Sequence, residues 1–426
     1  MRVGVVLSKP PYPLDEGTNI AHYNEMRGLH LYGHKLTLFT LVQQPQRYEV
    51  PTAVSQLCED VVLWQRPMRV IGAVRRPTLP ISVAARFAEE DKTNLVAEVD
   101  RRAIGVLLVE SPPMEASIPR QLYETTTVVL RTNDLSYKMY ANVSKELPYG
   151  FRRAAYWLEG LRLRRYQLRV NQTGLFDANV FSRRDDMEFM RRLFPRNARK
   201  YVYVPLPVDV ASFSRHRGAQ TRASTAAECG AKVVLFTGAM SYLPNVTAVV
   251  RFTRDIWPRV RSRVAGATFV VAGKDPVPQI RHLSKTDATI VVTGTLSQAG
   301  MAEWFEAADL VVIPVTSGAG YRYKAVEALA AGKIVVSTPF AIEGLELEPG
   351  KHLITAKDDA GFADACVDVL RAPGKYRCLA EAGSDFVIRN YSVEAVSGRL
   401  ERILQGLVLC GEMRRQCAKE NSDGDL

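Results

Sequence analysis

The feature that most constrains this chain is a repeated alternation. Short apolar runs of strand length are separated by longer stretches with helical spacing, once in the first half and again in the second. Apolar runs without polar alternation read as strands buried on both faces, and strands alternating with helices read as parallel sheets covered by helices. In the first half the predicted strands are 3–7, 36–40, 104–109, 127–130, 175–181 and 201–204. The alternation breaks at Pro205-Leu206-Pro207, and a polar, small-residue stretch follows over 212–226. A second series then begins, with strands predicted at 233–236, 269–272, 290–292, 310–314, 334–337 and 352–355. Helices are predicted over 245–263, 302–308 and 321–331, with three more between 359 and about 407. The fold class is α/β, with two doubly wound Rossmann-like domains. We divide the chain into a first domain (1–207), a linker (208–230), a second domain (231–390), a helix packing back on the first domain (391–409) and a flexible polar tail (410–426). A length of 426 residues supports this division, because single cores stop growing at about 250–300 residues.

Several classes are excluded. No stretch reaches the ~18 uncharged apolar residues of a membrane span, and the opening run Val3-Gly4-Val5-Val6-Leu7 is too short for a signal core. A cytoplasmic protein is expected. Cys58, Cys229, Cys366, Cys378, Cys410 and Cys417 form no CxxC pair, so neither a zinc site nor a disulfide framework is indicated. A net charge of +11 favours polyanionic partners: a phosphorylated substrate, an anionic membrane face or nucleic acid. No nucleic-acid-binding module accompanies the charge, so that partner is not expected.

In an open parallel sheet, ligands bind beyond the carboxyl ends of the strands. The most informative such turn is Pro314-Val315-Thr316-Ser317-Gly318-Ala319-Gly320, which opens a helix carrying Arg322, Lys324 and Glu327. Glycines let backbone approach a ligand, and the free amides of a helix N-terminus suit a phosphate. Arg322 and Lys324 place two cations in the first turn, where the helix dipole disfavours them unless an anion is present. Glu327 is suited to accept hydrogen bonds from ribose hydroxyls. The bland alternative is a tight turn in which Arg322 and Glu327 pair on a solvated helix face.

At this point the chain resembles the retaining glycosyltransferase family 4, and the GT-B fold of that family, two facing domains with a cleft between them, is what the resemblance implies. The residues that carry it run from Ser317 through Thr338, and are similar to a subgroup with a Gly-x-x-Arg-x-Lys-x-x-Glu pattern: Arg322, Lys324 and Glu327 keep its spacing, behind Gly318, Ala319, Gly320 and Tyr321. Phe236-Thr237-Gly238 through Pro244-Asn245, Val271-Ala272-Gly273, Ala308-Asp309-Leu310 and Glu343-Gly344-Leu345 extend it. In the first domain, Pro11-Tyr12-Pro13, Gly17 and Gly33-His34-Lys35 are similar to the family's opening. The resemblance implies a nucleotide-diphosphate sugar as donor, no cofactor, no metal and an unidentified acceptor. It implies catalytic roles for Arg322, Lys324 and Glu327. It places the donor against Gly17, Thr18, Gly238, Gly294, Thr295 and the Gly318 to Glu327 turn.

The chain also departs from the family. Many members carry two glutamates eight positions apart, and Ala319 occupies the first position. No cation follows the opening strand of the second domain, so Arg322 and Lys324 are expected to supply that charge. The family's first-domain histidine is absent from Glu110-Ser111-Pro112-Pro113. His22, Asn133 and Asp134 are the acceptor-side candidates, although a satisfied histidine and a solvated Asn-Asp turn would look the same in sequence. Thr18 reads equally as a helix cap. A nucleotide-sugar epimerase of the same fold and a donor-binding partner that has lost activity are the alternative functions. Residues 151–169 combine arginine, aromatics and leucine at helical spacing, as expected of a helix on an anionic membrane or of a packed helix with a solvated arginine face.

Overall fold

The structure is a computed structural model that describes residues 1–66, 76, 78–86, 89–214, 232–318 and 322–423. Among the described residues, thirteen strands form two separate sheets, and every pairing within the sheets is parallel. The first sheet has seven strands in the order β3-β2-β1-β4-β5-β6-β7. Its members are β1 (Arg2–Leu7), β2 (Lys35–Val42), β3 (Cys58–Gln65), β4 (Val106–Ser111), β5 (Thr127–Thr132), β6 (Ala178–Phe181) and β7 (Tyr201–Tyr203). The second has six in the order β10-β9-β8-β11-β12-β13. These are β8 (Lys232–Thr237), β9 (Ala267–Ala272), β10 (Ile290–Gly294), β11 (Leu310–Ile313), β12 (Val335–Ser337) and β13 (Ile354–Thr355). Chain order reverses between β1 and β4 in the first sheet and between β8 and β11 in the second, which puts a ligand crevice at the carboxyl end of each.

The central strands β1, β4 and β5 are almost wholly buried, which is why each is built around a run of apolar residues. The strand β3 is absent from the sequence expectation for the converse reason. It is an edge strand whose residues, CEDVVLWQ, are mostly half-exposed or exposed, and its short apolar stretch, 61–64, follows two acidic residues. The predicted strand at 175–181 shortens to β6, because Gly174 closes the preceding helix in the left-handed region (φ 58°) and Leu175 is exposed. The predicted helix at 245–263 is three pieces: Leu243–Arg251, a π-helical turn Phe252–Ile256, and Trp257–Arg261. Pro258 has no amide to donate to the preceding turn, and the wider turn accommodates that loss.

Within the expected linker, Val208 bridges to Ser392 and Val210–Ser214 forms a short helix. The remainder of the polar stretch lies outside the described residues. The last helix, Val393–Asp423, corrects the expected boundary at 409. Residues 410–423 read as a flexible tail because they are polar, yet Glu, Met, Arg, Gln, Ala and Lys among them are good helix formers and continue the helix. Val396, Leu400 and Leu404 recur every four residues and are buried in the first domain's core with Met26 and Leu29 of the first helix, Gly17–Leu31. The helices meet at Gly28, where a Cβ would lie 1.7 Å from Ser397 Oγ. The buried pair His34 and Glu401 adds a polar contact to the same seam.

Candidate active site

A cleft of about 650 Å³ lies where the carboxyl ends of the two sheets face each other. The second domain forms one wall from the turns after its strands. Gly238, after β8, and Gly273, after β9, have φ of 146° and 147°. A Cβ on Gly273 would lie 1.8 Å from the Gly238 carbonyl oxygen, so these two turns interlock only as glycines. Asn245 is locked beneath them, its Nδ2 donating to Ala239 O at 2.9 Å. Its Oδ1 accepts from Lys324 Nζ at 2.8 Å, and the ammonium lies 4.1 Å from the Phe236 ring centroid.

Lys324 and Glu327 stand three residues apart on the helix Tyr323–Ala330 and both line the cleft. Burial pushes the Lys324 ammonium down from its ordinary value, and neighbouring Arg322 pushes it the same way. Burial pushes the Glu327 carboxyl up, against the pull of Lys324. Burial therefore penalises both charges. Arg322 is buried in the preceding turn, where Nη2 donates to Ser317 O at 3.3 Å and the guanidinium lies 5.3 Å from the Phe340 ring centroid. Burial and then Arg183 act to lower its proton affinity, while Tyr242 and Asp134 oppose them. Three buried or half-buried side chains with perturbed proton affinities at one cleft mark a functional site.

Of the residues expected at the donor, Gly17, Thr18, Gly238, Thr295, Arg322, Lys324 and Glu327 line the cleft. Gly294 (φ 72°) shapes the turn before Thr295, and Ser297 caps the following helix by accepting from Gly300 N. Gly318 has φ 98°, a Cβ there would lie 2.8 Å from Pro244 Cγ, and its carbonyl accepts from Asn142 Nδ2 of the first domain at 3.2 Å. Ala319, Gly320 and Tyr321 lie outside the described residues. Thr18 is not the helix cap: the first helix starts at Gly17 with Glu16 at the N-cap position.

On the acceptor side, Asn133 and Asp134 line the cleft, and Asp134 accepts from Ser136 Oγ at 2.6 Å. Burial raises the Asp134 carboxyl above its ordinary value. His22 lies beneath them, where it accepts from Asn133 Nδ2 at 3.0 Å and borders a small internal cavity with Glu25, Glu110 and Arg131. Burial holds its imidazole below the ordinary value, so it positions Asn133 as a neutral ring.

Sequence reasoning missed two side chains of the second domain, Lys274 and Tyr323, that reach the first. Lys274 follows Gly273 and bridges to Asp15 at 3.1 Å and Glu16 at 2.6 Å across the cleft. Glu16 also pairs with Lys9. Tyr323 donates to Pro207 O at 2.6 Å and accepts from Asn24 Nδ2 at 3.0 Å, tying the donor helix to the first helix and the interdomain segment. A signal for Lys274 was present, since a lone cation directly after a predicted strand sits where ligands bind.

Two facing parallel sheets with the cleft between their carboxyl ends define the GT-B fold. Residues 231–372 match the family profile described as "Glycosyl transferases group 1", so that stretch is a domain of this family, and the chain as a whole has the GT-B fold. The chain is similar to a phosphatidyl-myo-inositol mannosyltransferase of Mycobacterium leprae, 30% identical over 183 residues, covering 42% of this chain and 48% of that one. The match thus spans about half of that relative. Among solved structures it resembles a sucrose-phosphate synthase from Thermosynechococcus elongatus, with TM-score 0.68 at 15% identity over 96% of this chain and 100% of that one. Anabaena HepE, solved in complex with UDP and glucose, shares the fold with TM-score 0.61 at 11% identity over 95% of this chain and 100% of that one.

Proposed function

We propose that the protein moves a sugar from a nucleotide-diphosphate donor on the second domain to an acceptor entering over the first, retaining anomeric configuration and using no metal ion. The observation that carries this is the half-buried Lys324 and Glu327, set with buried Arg322 beside the Gly238 turn where the two sheets face each other. A site where burial and a neighbouring cation penalise an ammonium in this way is suited to a ligand bringing two negative charges.

In this reading Lys324, Arg322 and the Gly238 turn hold the diphosphate. Glu327 accepts from the ribose hydroxyls, and the base lies against the Thr295 turn. The UDP and glucose bound by HepE and the mannosyl transfer named for the mycobacterial relative support a nucleotide sugar as donor. Arg322, Lys324 and Glu327 fit the Arg-x-Lys-x-x-Glu part of that subgroup's pattern in the retaining family, in which one carboxylate remains. Transfer then proceeds on one face of the sugar. The bond from the anomeric carbon to the leaving phosphate oxygen breaks, the acceptor oxygen bonds to the same face, and its proton passes to that phosphate oxygen. Cations fixed in a closed, water-poor cleft stabilise the departing diphosphate and protect the donor from hydrolysis. The acceptor is a glycan, a lipid-linked saccharide or a small molecule, and the site of action is cytoplasmic.

Thermal-shift measurements with uridine, guanosine, adenosine and thymidine diphosphates test the donor site, followed by turnover of the matching nucleotide sugars. One diphosphate should stabilise the protein, and Arg322→Ala with Lys324→Ala should weaken it at least about a hundredfold. Stabilisation by none of the four would overturn the assignment. Released epimerised nucleotide sugar, or tight binding without any turnover, would replace transfer by epimerisation or by a binding role.

A further inference from the structure

The helix Phe151–Thr173 has an outer face that its packing does not explain. Its inner face is satisfied: Gly160, Leu163, Gln167 and Asn171 are buried, and Gly160 lets the helix approach Tyr140 of the neighbouring helix Ser136–Glu146. Yet Phe151, Trp157, Leu158 and Leu161 are 88, 57, 53 and 42% exposed, and Tyr149 just before them is 91% exposed. These five make up nearly a third of the sixteen exposed large apolar side chains among the described residues, and they fall within thirteen positions. Scattered exposed leucines need no explanation, but a contiguous apolar patch marks an interaction surface.

The charge beside the patch has one sign. Arg152, Arg164, Arg165 and Arg169 are exposed on the same helix. Its one acidic residue, Glu159, is buried and accepts from Ser82 N and Oγ at 2.9 and 3.0 Å, so it does not offset them. A groove of about 590 Å³ opens between Lys145, Tyr149, Arg153 and Trp157, and the Arg153 guanidinium lies 4.2 Å from the Tyr149 ring centroid. Aromatic rings and arginines around an aliphatic stripe match the headgroup layer of a bilayer, with apolar groups below and phosphates above. A nucleic acid would satisfy the arginines and leave Leu158 and Leu161 in water. No helix among the described residues is long and apolar enough to cross a membrane, so the contact lies on its surface.

We propose that this face docks on an anionic lipid bilayer, with Phe151, Trp157, Leu158 and Leu161 entering the headgroup layer and a lipid phosphate seated between Lys145 and Arg153. The groove and the active-site cleft share one helix. Met139 lines the cleft and Asn142 bonds to Gly318, while Ser144 and Lys145 line the groove. Three residues separate Asn142 from Lys145, about 4.5 Å along the helix. Docking therefore brings the acceptor side of the cleft to the membrane surface. Vesicles need no donor to bind, so this inference stands or falls separately from the transfer reaction.

Trp157 is itself the probe, because the other three tryptophans, Trp64, Trp257 and Trp304, are buried. Wild-type protein should sediment with phosphatidylcholine vesicles containing about 30% phosphatidylglycerol, and its tryptophan emission should shift to the blue. Pure phosphatidylcholine and a DNA duplex should produce neither effect. Two variants at surface positions, Trp157→Ser/Leu158→Ser/Leu161→Ser and Lys145→Glu/Arg153→Glu, should each lower partitioning at least about tenfold while melting like wild type. No binding by wild type, unchanged partitioning in either variant, or an equal response to DNA would overturn the proposal.

Discussion

Lys324 is the residue on which most of the site chemistry turns. Its ammonium is fixed by Asn245 and the Phe236 ring, and burial beside Arg322 makes its charge costly. A bound diphosphate reverses that cost. Since the free-state value lies below the ordinary one, donor binding at about pH 8 should take up a proton, and affinity should fall as pH rises through the free-state value. Calorimetry in buffers of different ionisation enthalpy reads this uptake directly. Lys324→Arg, permanently charged, should abolish it, and an unchanged proton count in that variant would assign the uptake to another group. The same residue shows what was legible locally. The glycines, the two cations and Glu327 were readable as a donor turn because they are neighbours in sequence. Asn245, which lies 79 positions from Lys324 and holds it, was quoted only as part of a motif.

At the scale of elements, periodicity located the buried strands well and the exposed ones badly. The strand β4 opens on four buried apolar residues, Val106 to Val109, whereas β3 at the sheet edge begins with the exposed Glu59 and Asp60 and keeps only a short apolar stretch. The last helix is a similar case. Its apolar stripe showed that it packs, while its polar continuation read as a tail. The crossing with the first helix depends on Gly28 facing Ser397. Gly28→Ala should destabilise the protein by about 1–3 kcal/mol through overpacking, even though alanine is the better helix former. Chemical denaturation measures it, and Ser397→Gly in the same chain should recover part of the loss. Failure of that double variant to recover would place the strain elsewhere.

At the scale of the whole molecule, the two domains are joined across the cleft by a small set of polar contacts. Lys274 with Asp15 and Glu16 sits at the cleft wall, Asn142 with Gly318 at the donor turn, and Tyr323 with Pro207 and Asn24 in the seam. The bridge at Lys274 must break for the cleft to open. Lys274→Glu sets three carboxylates against one another, and should enlarge the solution radius and weaken nucleoside diphosphate binding about tenfold. Adding Asp15→Lys and Glu16→Lys should restore both. Small-angle scattering and a binding isotherm report the outcome, and a variant as compact as wild type would show that closure does not depend on the bridge.

The sequence by itself determined the two alternating series, the break between them, and the turn from Gly318 to Glu327. Each of these is set by neighbours within a few turns of chain: side-chain period decides strand or helix, and glycine decides where backbone can bend close to a ligand. Only the tertiary structure decided what faces that turn. Lys274 meets Asp15 from 259 positions away, His22 turns inward beneath Asn133, and the apolar face of Phe151–Thr173 is left uncovered because the opposite face is the one that packs. Such pairings depend on how two sheets approach each other. Periodicity along the chain carries no record of that.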